Sequence, residues 1–387
     1  MIRTLAVENY RSLRHLVLPL GRLNVVTGAN GSGKSSLYRA LRLLADSSRN
    51  GSVAALAREG GLASTLWAGP EVIGGAVRRG ERPLQGTVRK NPVSLRLGFS
   101  GDTFGYAMDL GLPAPGDSVF ALDPLIKVEA SWSGPVLRPA ALLAQRHGQV
   151  VQVRERGGQW YRAHTGLQPF DSMLSEVSDP QRAPDLLDLR EQMRSWRFYD
   201  HVRTDSGAPA RVPQVGTRTP VMSADGSDVA AALETIAEIG DHTALGRAVE
   251  RGFPGCRLEI AIEGGRFQVG LRQPGMLRPL LAPELSDGTL RYLLWCAALL
   301  TPRPPELLVL NEPETSLHPD LLEALADLIA VAAGRTQIVV VTHAPRLVEA
   351  LAKDPDHGVL ELYKDHGETR LRDQLPLEEP LWHWPKR

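Results

Sequence analysis

Cysteine is nearly absent from this chain of 387 residues: Cys256 and Cys296 occur alone, far apart and outside any C-x-x-C spacing. That excludes a disulfide framework and a thiolate zinc site, and it leaves two small, half-apolar thiols suited to a core. Net charge is missing as well, because Lys+Arg 44 balances Asp+Glu 44. No overall field draws the protein to nucleic acid or an anionic surface, so such a partner has to be met by a local patch. No apolar run approaches the roughly 20 residues of a membrane-spanning helix. Charge also appears inside the opening MIRTLAVENYRS, where a secretory signal would be apolar. A cytoplasmic protein with no membrane partner is expected. No internal repeat, low-complexity tract or sustained heptad pattern is present, which excludes long coiled-coil arms.

What is present is ordinary globular material, 43% hydrophobic and 23% charged. The length exceeds what one core usually holds, so a main domain with a sizeable insert is expected. Strand-type alternation covers Ile2 to Val7, Leu16 to Leu20 and Leu23 to Thr27. A glycine-rich loop follows, then helical periodicity from Ser35 to Ala45, with a weaker helix near Val53 to Arg58. From Glu71 to Ala163 short β-type runs alternate with Gly, Pro and Asp turns, which reads as an antiparallel β subdomain. Helices are expected at Asp185 to Trp196, Ser227 to Ile239 and His242 to Arg251, and a hairpin around Gly264 and Gly265. After Pro283 the order is helix, buried strand (Glu306 to Leu310), helix, buried strand (Gln337 to Val341), short helix. Continuous apolar strands between amphipathic helices predict a parallel sheet covered on both faces. The predicted fold is α/β, with 1–165 and 276–387 as two halves of one head and 166–275 as an inserted, mainly helical lobe.

Residues 28 to 35 read GANGSGKS and match G-x-x-x-x-G-K-[ST] in full. Gly28, Gly31 and Gly33 let the backbone bend until successive N–H groups face an anion. Lys34 brings a point charge to the β- and γ-phosphates, Ser35 offers a hydroxyl to Mg²⁺, and the following helix aims its positive end at the phosphates. A strand before and a helix after supply the context the motif requires, so the loop is expected to bind the phosphates of ATP.

Hydrolysis needs a carboxylate at a neighbouring strand end. ELLVLNEP (Glu306 to Pro313) ends a buried strand in Asn311 and Glu312, and Glu312 is the candidate for polarising the attacking water. Asn311 stands where an Asp usually serves the metal, so Mg²⁺ affinity or hydrolysis rate is expected to be lower. The plainer reading is that both residues merely cap the strand. QIVVVTHAP ends in Thr342 and His343, and a histidine at that strand tip is a candidate γ-phosphate contact. LSDGTLR (Leu285 to Arg291) opens a further helix, with Ser286 and Gly288 forming a second phosphate cradle. One nucleotide does not need two cradles from one chain, so this segment is expected to cover a nucleotide held by a second copy; alternatively Ser286 is an ordinary N-cap.

The ordered set GANGSGKS, LSDGTLR, LNEPETSLHP and VVVTHAP resembles the ABC-type P-loop ATPase heads of the SMC, RecF and OLD-like superfamily, nearest their armless bacterial AAA-family branch. The likeness covers roughly half the chain, at its two ends. It implies phosphate contacts from Asn30, Gly31, Ser32, Gly33, Lys34, Ser35 and Ser36, and Mg²⁺ held by Ser35 and Asn311. It further implies Glu312 as base, His343 as γ-phosphate sensor, and Ser286 and Gly288 acting across a homodimer. ENYRS is similar to the opening strand motif of these heads, which brings Arg11 and Ser12 near the nucleotide. ETSLHP (Glu314 to Pro319) resembles the loop that crosses between protomers. Gln85 is the candidate for the glutamine that contacts metal and water.

The likeness implies an ATP- and Mg²⁺-dependent ATPase that dimerises on nucleotide, in DNA repair or genome maintenance. The alternative is a nucleotide-gated switch that recruits a separate effector in a defence or toxin system. Two basic stretches are candidate DNA contacts: Arg78, Arg79, Arg82, Arg89, Lys90 and Arg96, then Arg190 to Arg218 around Trp196, Phe198 and Tyr199. They equally suit a lobe interface with Arg paired to Asp and Glu.

Overall fold

A computed structural model of the chain describes residues 1–49, 51–71, 92–155, 157–200, 202–375 and 378–387. Gln85 and the basic residues Arg78, Arg79, Arg82, Arg89 and Lys90 lie outside the described residues.

The chain opens with β1 (Ile2–Tyr10), β2 (Leu13–Pro19) and β3 (Leu23–Thr27), followed by α1 (Lys34–Ser47), α2 (Ser52–Arg58) and α3 (Gly61–Thr65). Then come β4 (Leu95–Gly101), β5 (Phe104–Gly111), β6 (Leu125–Ser133), β7 (Leu142–His147), β8 (Val150–Arg154) and β9 (Trp160–Thr165). Next are α4 (Met173–Glu176), α5 (Pro184–Ser195), β10 (Arg197–Tyr199), β11 (Gln214–Val215), α6 (Val229–Ile239) and α7 (His242–Gly252). The hairpin β12 (Arg257–Glu263) and β13 (Arg266–Arg272) precedes β14 (Leu280–Leu281), α8 (Asp287–Leu299), β15 (Leu307–Asn311) and α9 (Leu321–Ala333). The chain closes with β16 (Gln337–Val341), α10 (Pro345–Leu351), β17 (His357–Asp365) and β18 (Glu368–Leu371).

Two compact units result. The first comprises Met1–Gly21, Gly28–Trp196 and Leu360–Arg387, and the second Arg22–Thr27 and Arg197–Val359. In the first unit an eight-stranded antiparallel sheet runs β2-β1-β4-β5-β6-β7-β8-β9. The N-terminal strands therefore extend the expected β subdomain rather than standing apart from it, in the register Leu5↔Phe99 and Val7↔Leu97. Both faces are covered here: Leu95, Leu97 and Phe99 on β4 and Tyr106 and Met108 on β5 are fully buried, and so are Ala107 and Asp109 on the opposite face. Helix α1 buries Leu37, Leu41 and Leu44, one stripe at helical spacing. Each such leucine contributes about 1.5–3 kcal/mol relative to exposure.

A directly paired cross-strand couple on β6 and β7 forms a buried ion pair. Glu129 and Arg146 are both fully buried, at 3.1 Å. The Glu129 carboxylate also accepts from Tyr106 Oη, Ser172 Oγ and the Met173 amide. Arg146 donates to the carbonyls of Gly148, Gln168 and Asp171. Both charges are saturated with partners, the condition under which such a pair is tolerated.

The second unit holds a parallel row, β10-β15-β16-β3. Strands LLVLN and QIVVV carry unbroken apolar runs, Leu307–Leu310 and Ile338–Val341, because they are buried on both faces. Helices α8 and α9 supply Leu290, Leu294, Leu325 and Ile329 to the core, with Trp295 buried among them. Gly264 (φ 54) and Gly265 (φ 75) make the tight turn between β12 and β13. Among the described residues the longest helix, α1, has 14 residues, and no helix is long and apolar enough to cross a membrane.

Candidate functional site

The phosphate loop belongs to the first unit. Gly28, Gly31 and Gly33 adopt φ 141, 77 and 110, a region that side chains with a Cβ rarely enter. Gly33 is also the N-cap of α1, without a side-chain cap, and no acidic residue sits in the first turn. The leading N–H groups of the helix thus remain available to an anion. Lys34 is 7% exposed. Its Nζ donates to the carbonyls of Gly28 at 2.6 Å and Ala29 at 3.1 Å, so the ammonium lies over the loop that it would share with a phosphate. Ser35 is exposed and Ser36 half-buried, while Asn30 and Gly31 are exposed at the tip.

Behind the loop stands the C-terminal hairpin. Thr369, fully buried on β18, donates from Oγ1 to the Ser32 carbonyl at 2.8 Å. Ser12 Oγ lies 2.8 Å from the same Thr369 Oγ1, and the Thr369 amide donates to the Ser12 carbonyl. Ser12 thus reaches the loop through Thr369. Arg11, at φ 50, pairs with Glu59 at 2.8 Å, and Tyr10 Oη donates to the same carboxylate at 2.6 Å. Burial, and then the Glu59 charge, push the Tyr10 phenol well above its usual range, so it remains a donor.

The second unit gathers the other motif residues. Val26, Val341 and Asn311 lie in register across β3, β16 and β15, so the carboxyl ends of the three strands form one row. In a parallel sheet ligands gather at that end. Glu312 leaves β15 at φ 49, with its amide bonded to the Val341 carbonyl at 2.7 Å. A non-glycine residue held in that region marks a site where the surrounding bonds dictate the backbone. The His343 ring lies between two carboxylates: Nδ1 is 3.5 Å from Glu312 Oε1 and 3.4 Å from Glu314 Oε1. Glu314 is buried, and its Oε1 accepts from Thr342 Oγ1 at 2.6 Å and from the His343 amide at 3.1 Å. Its Oε2 has no hydrogen-bond partner. Sequence reasoning gave Glu314 only as the start of a crossing loop. Its signal was a second carboxylate two residues after the first.

Ser286 caps α8, accepting from the Thr289 amide at 3.1 Å. Gly288 abuts the Ser316 carbonyl so closely that a Cβ would collide with it, so α8 begins against the turn that follows Glu312. Arg211, buried, donates to the carbonyls of Ala282 and Leu285 and pairs with Asp287 at 2.6 Å. Sequence reasoning put Arg211 among candidate DNA contacts; it instead braces the LSDGTLR segment. Its neighbours behave likewise. Arg190 donates to carbonyls of Leu174, Ser175 and Val177, and Arg194 to that of Ser48. Trp196, Phe198 and Tyr199 are buried and offer no face for base stacking. Arg203 and Arg218 are exposed and paired with Asp205 and Glu238, while Arg96 pairs with Glu8 and Asp109.

Donor chemistry fits Mg²⁺. The Ser35 hydroxyl and the half-buried Asn311 amide are neutral oxygen donors, suited to an ion that keeps several waters and takes its counter-charge from phosphates. No group of three His, Cys, Asp or Glu side chains among the described residues forms an all-protein metal cage.

Residues 162–349 match the family described as "AAA domain, putative AbiEii toxin, Type IV TA system". Residues 1–66 match "AAA ATPase domain". No curated protein matches the sequence significantly. Solved structures similar to the chain include an Smc head bound to the C-terminal winged-helix domain of ScpA, with 12% identity, 96% of both chains covered and TM-score 0.49. The SMC head domain of Thermotoga maritima has 15% identity over 96% of this chain and 97% of that one, with TM-score 0.43. A Pyrococcus furiosus Smc head bound to the C-terminal domain of ScpA has 11% identity over 96% and 95%, with TM-score 0.48. The family models and the motif residues, rather than these likenesses, decide the class. One matched segment holds the phosphate loop and the other holds Leu285 to Arg291, Glu312 and His343, so the chain is a P-loop ATPase whose two motif-bearing segments match AAA models.

Proposed function

We propose that the chain binds Mg-ATP on Gly28–Ser36, that Glu312 draws a proton from the attacking water, and that His343 contacts the γ-phosphate. The observation that carries this reading is the Glu312–His343–Glu314 cluster at the carboxyl ends of β15 and β16, in the row whose third strand, β3, runs straight into the phosphate loop. Lys34 and the loop N–H groups neutralise phosphate charge. Bound Mg²⁺, held by Ser35 and Asn311, with Gln85 as a further candidate, would add Lewis-acid neutralisation there. Asn311 brings an amide instead of a carboxylate, so turnover is slow and the nucleotide-bound state long-lived.

Ser286 and Gly288 at the start of α8 act on nucleotide held by a second copy, so that two chains close around two ATP molecules. Ser286 supports this by being exposed at the N-terminus of α8, where the one acidic residue of the first turn, Asp287, is neutralised by Arg211 at 2.6 Å. The closed dimer serves genome maintenance by clamping DNA, or it recruits a separate effector protein. The second reading is favoured by the family description naming a type IV toxin–antitoxin system and by the burial of Trp196, Phe198 and Tyr199. Light-scattering mass of wild type and Glu312→Gln, with and without Mg-ATP and duplex DNA, tests the reading. An ATP-dependent dimer stabilised by Glu312→Gln is expected. Monomers under every condition overturn the dimer, and DNA retention that follows nucleotide state and falls with salt selects the clamp over the switch.

A further inference from the structure

We propose that Thr369 is a positioning residue for the phosphate loop, fixing the direction of the Gly33 N–H through a Ser12–Thr369–Ser32 hydrogen-bond chain. The inference rests on the nucleotide reading above and names a residue that no loop motif contains, 337 positions from Ser32.

The donor assignment follows from counting protons. A carbonyl only accepts, so the single Thr369 hydroxyl proton is committed to the Ser32 oxygen. Ser12 Oγ must then donate to Thr369 Oγ1. The Thr369 amide in turn donates to the Ser12 carbonyl, which ties the β1–β2 turn to β18 twice. In a planar trans peptide the C=O and the following N–H point in opposite directions. Holding the Ser32 oxygen toward Thr369 therefore aims the Gly33 N–H the other way, away from the hairpin. Gly33, at φ 110, packs its bare α-carbon on the Thr369 side chain, where any Cβ would collide. Gly28 meets the Leu362 carbonyl of the neighbouring strand in the same manner. The hairpin thus works as a template against which the loop is shaped. A peptide free to rotate would have to be ordered again each time a phosphate binds, and pre-organisation removes that cost.

The test is calorimetric titration of Mg–AMP-PNP into the full chain, paired with steady-state hydrolysis. Thr369→Val keeps the shape and deletes the hydroxyl. It is expected to weaken binding about tenfold, equivalent to about 1.4 kcal/mol, and to raise KM for ATP with little change in kcat. Thr369→Ser restores the donor and is expected to bind within about twofold of wild type, which a purely volumetric role would not produce. Ser12→Ala, which removes the proton that Thr369 accepts, is expected to weaken binding about threefold, near the low end of a single hydrogen bond's contribution. Should Thr369→Val fail to fold, Ser12→Ala decides. Wild-type affinity in Thr369→Val or Ser12→Ala, or equal weakening in Thr369→Ser and Thr369→Val, overturns the inference while leaving the nucleotide reading intact. Absence of binding by the wild type removes both.

Discussion

Replacing Glu314 with alanine exposes how the site holds His343. The buried Oε1 accepts the Thr342 hydroxyl at 2.6 Å and the His343 amide at 3.1 Å, and Thr342 is itself fully buried. Deleting the acceptor strands one buried donor, the Thr342 hydroxyl, at about 1–3 kcal/mol, and one part-buried donor, the His343 amide, which water can reach at smaller cost. Part of that is recovered, because the carboxylate's other oxygen has no partner and removing a half-satisfied buried charge is favourable. The net local loss is about 1–3 kcal/mol, concentrated at the tip of β16. Hydrogen exchange is the appropriate assay, since the amide in question is that of His343. Its exchange should accelerate on the order of tenfold or more, at 1.4 kcal/mol per decade, while β4 and β5 amides stay unchanged. ATP turnover should fall on the order of tenfold, because the ring loses its fixed backbone and one of its two flanking carboxylates. Unchanged exchange at His343 would refute the claim that Glu314 holds this strand tip.

Other outcomes follow from the same geometry. Lys34→Ala should lower Mg-ATP affinity by roughly a hundredfold or more, because the loop loses its one point charge; titration calorimetry measures this. Gly33→Ala should also impair nucleotide binding, because alanine at φ 110 is strained and its Cβ meets Thr369; wild-type affinity would contradict the loop conformation. Glu129→Ala should destabilise the first unit by about 3–5 kcal/mol, since Arg146 would be left buried and unpaired. Chemical unfolding reads that loss, and a shift under about 1 kcal/mol would mean that the pair behaves like a surface one.

Much of the fold was legible because burial imposes period and composition. Leu23–Thr27 and Gln337–Val341 are legible with the bounds they have, since each is dominated by valine and other aliphatic residues with no glycine or proline inside it. The β12–β13 hairpin was announced by Gly264 and Gly265. The pairing of β1 with β4 was not legible, because the registered residues lie some ninety positions apart and antiparallel partners carry no mark of each other. Strand β7 (LLAQRH), inside the stretch expected to be a β subdomain, carries no clear strand alternation of its own, because its paired leucines break the period. The closing hairpin was missed, although His366 (φ 48) and Gly367 (φ 83) form the kind of turn that a His-Gly pair can signal.

The candidate site was legible to the extent that motifs carry it. Gly28–Ser36, Ser286, Gly288, Asn311, Glu312 and His343 stand out as candidates because phosphate and water chemistry needs those side chains at fixed spacing. Thr369 and Arg211 act on backbone carbonyls of distant segments, and nothing in the local sequence distinguishes them from other polar residues. The aromatic residues at 196–199 gave the opposite lesson. Interleaved with arginines they suit a DNA contact or a lobe interface equally, and their apolar rings are core while Arg194 beside them serves a carbonyl.

Phosphate release from Mg-ATP by wild type, Lys34→Ala and Glu312→Gln, each with bound nucleotide measured in the same sample, tests the central claim most directly. Slow release is expected from the wild type, no bound nucleotide on Lys34→Ala, and retained, unhydrolysed ATP on Glu312→Gln. Release by Glu312→Gln at the wild-type rate, or full nucleotide occupancy on Lys34→Ala, would contradict it.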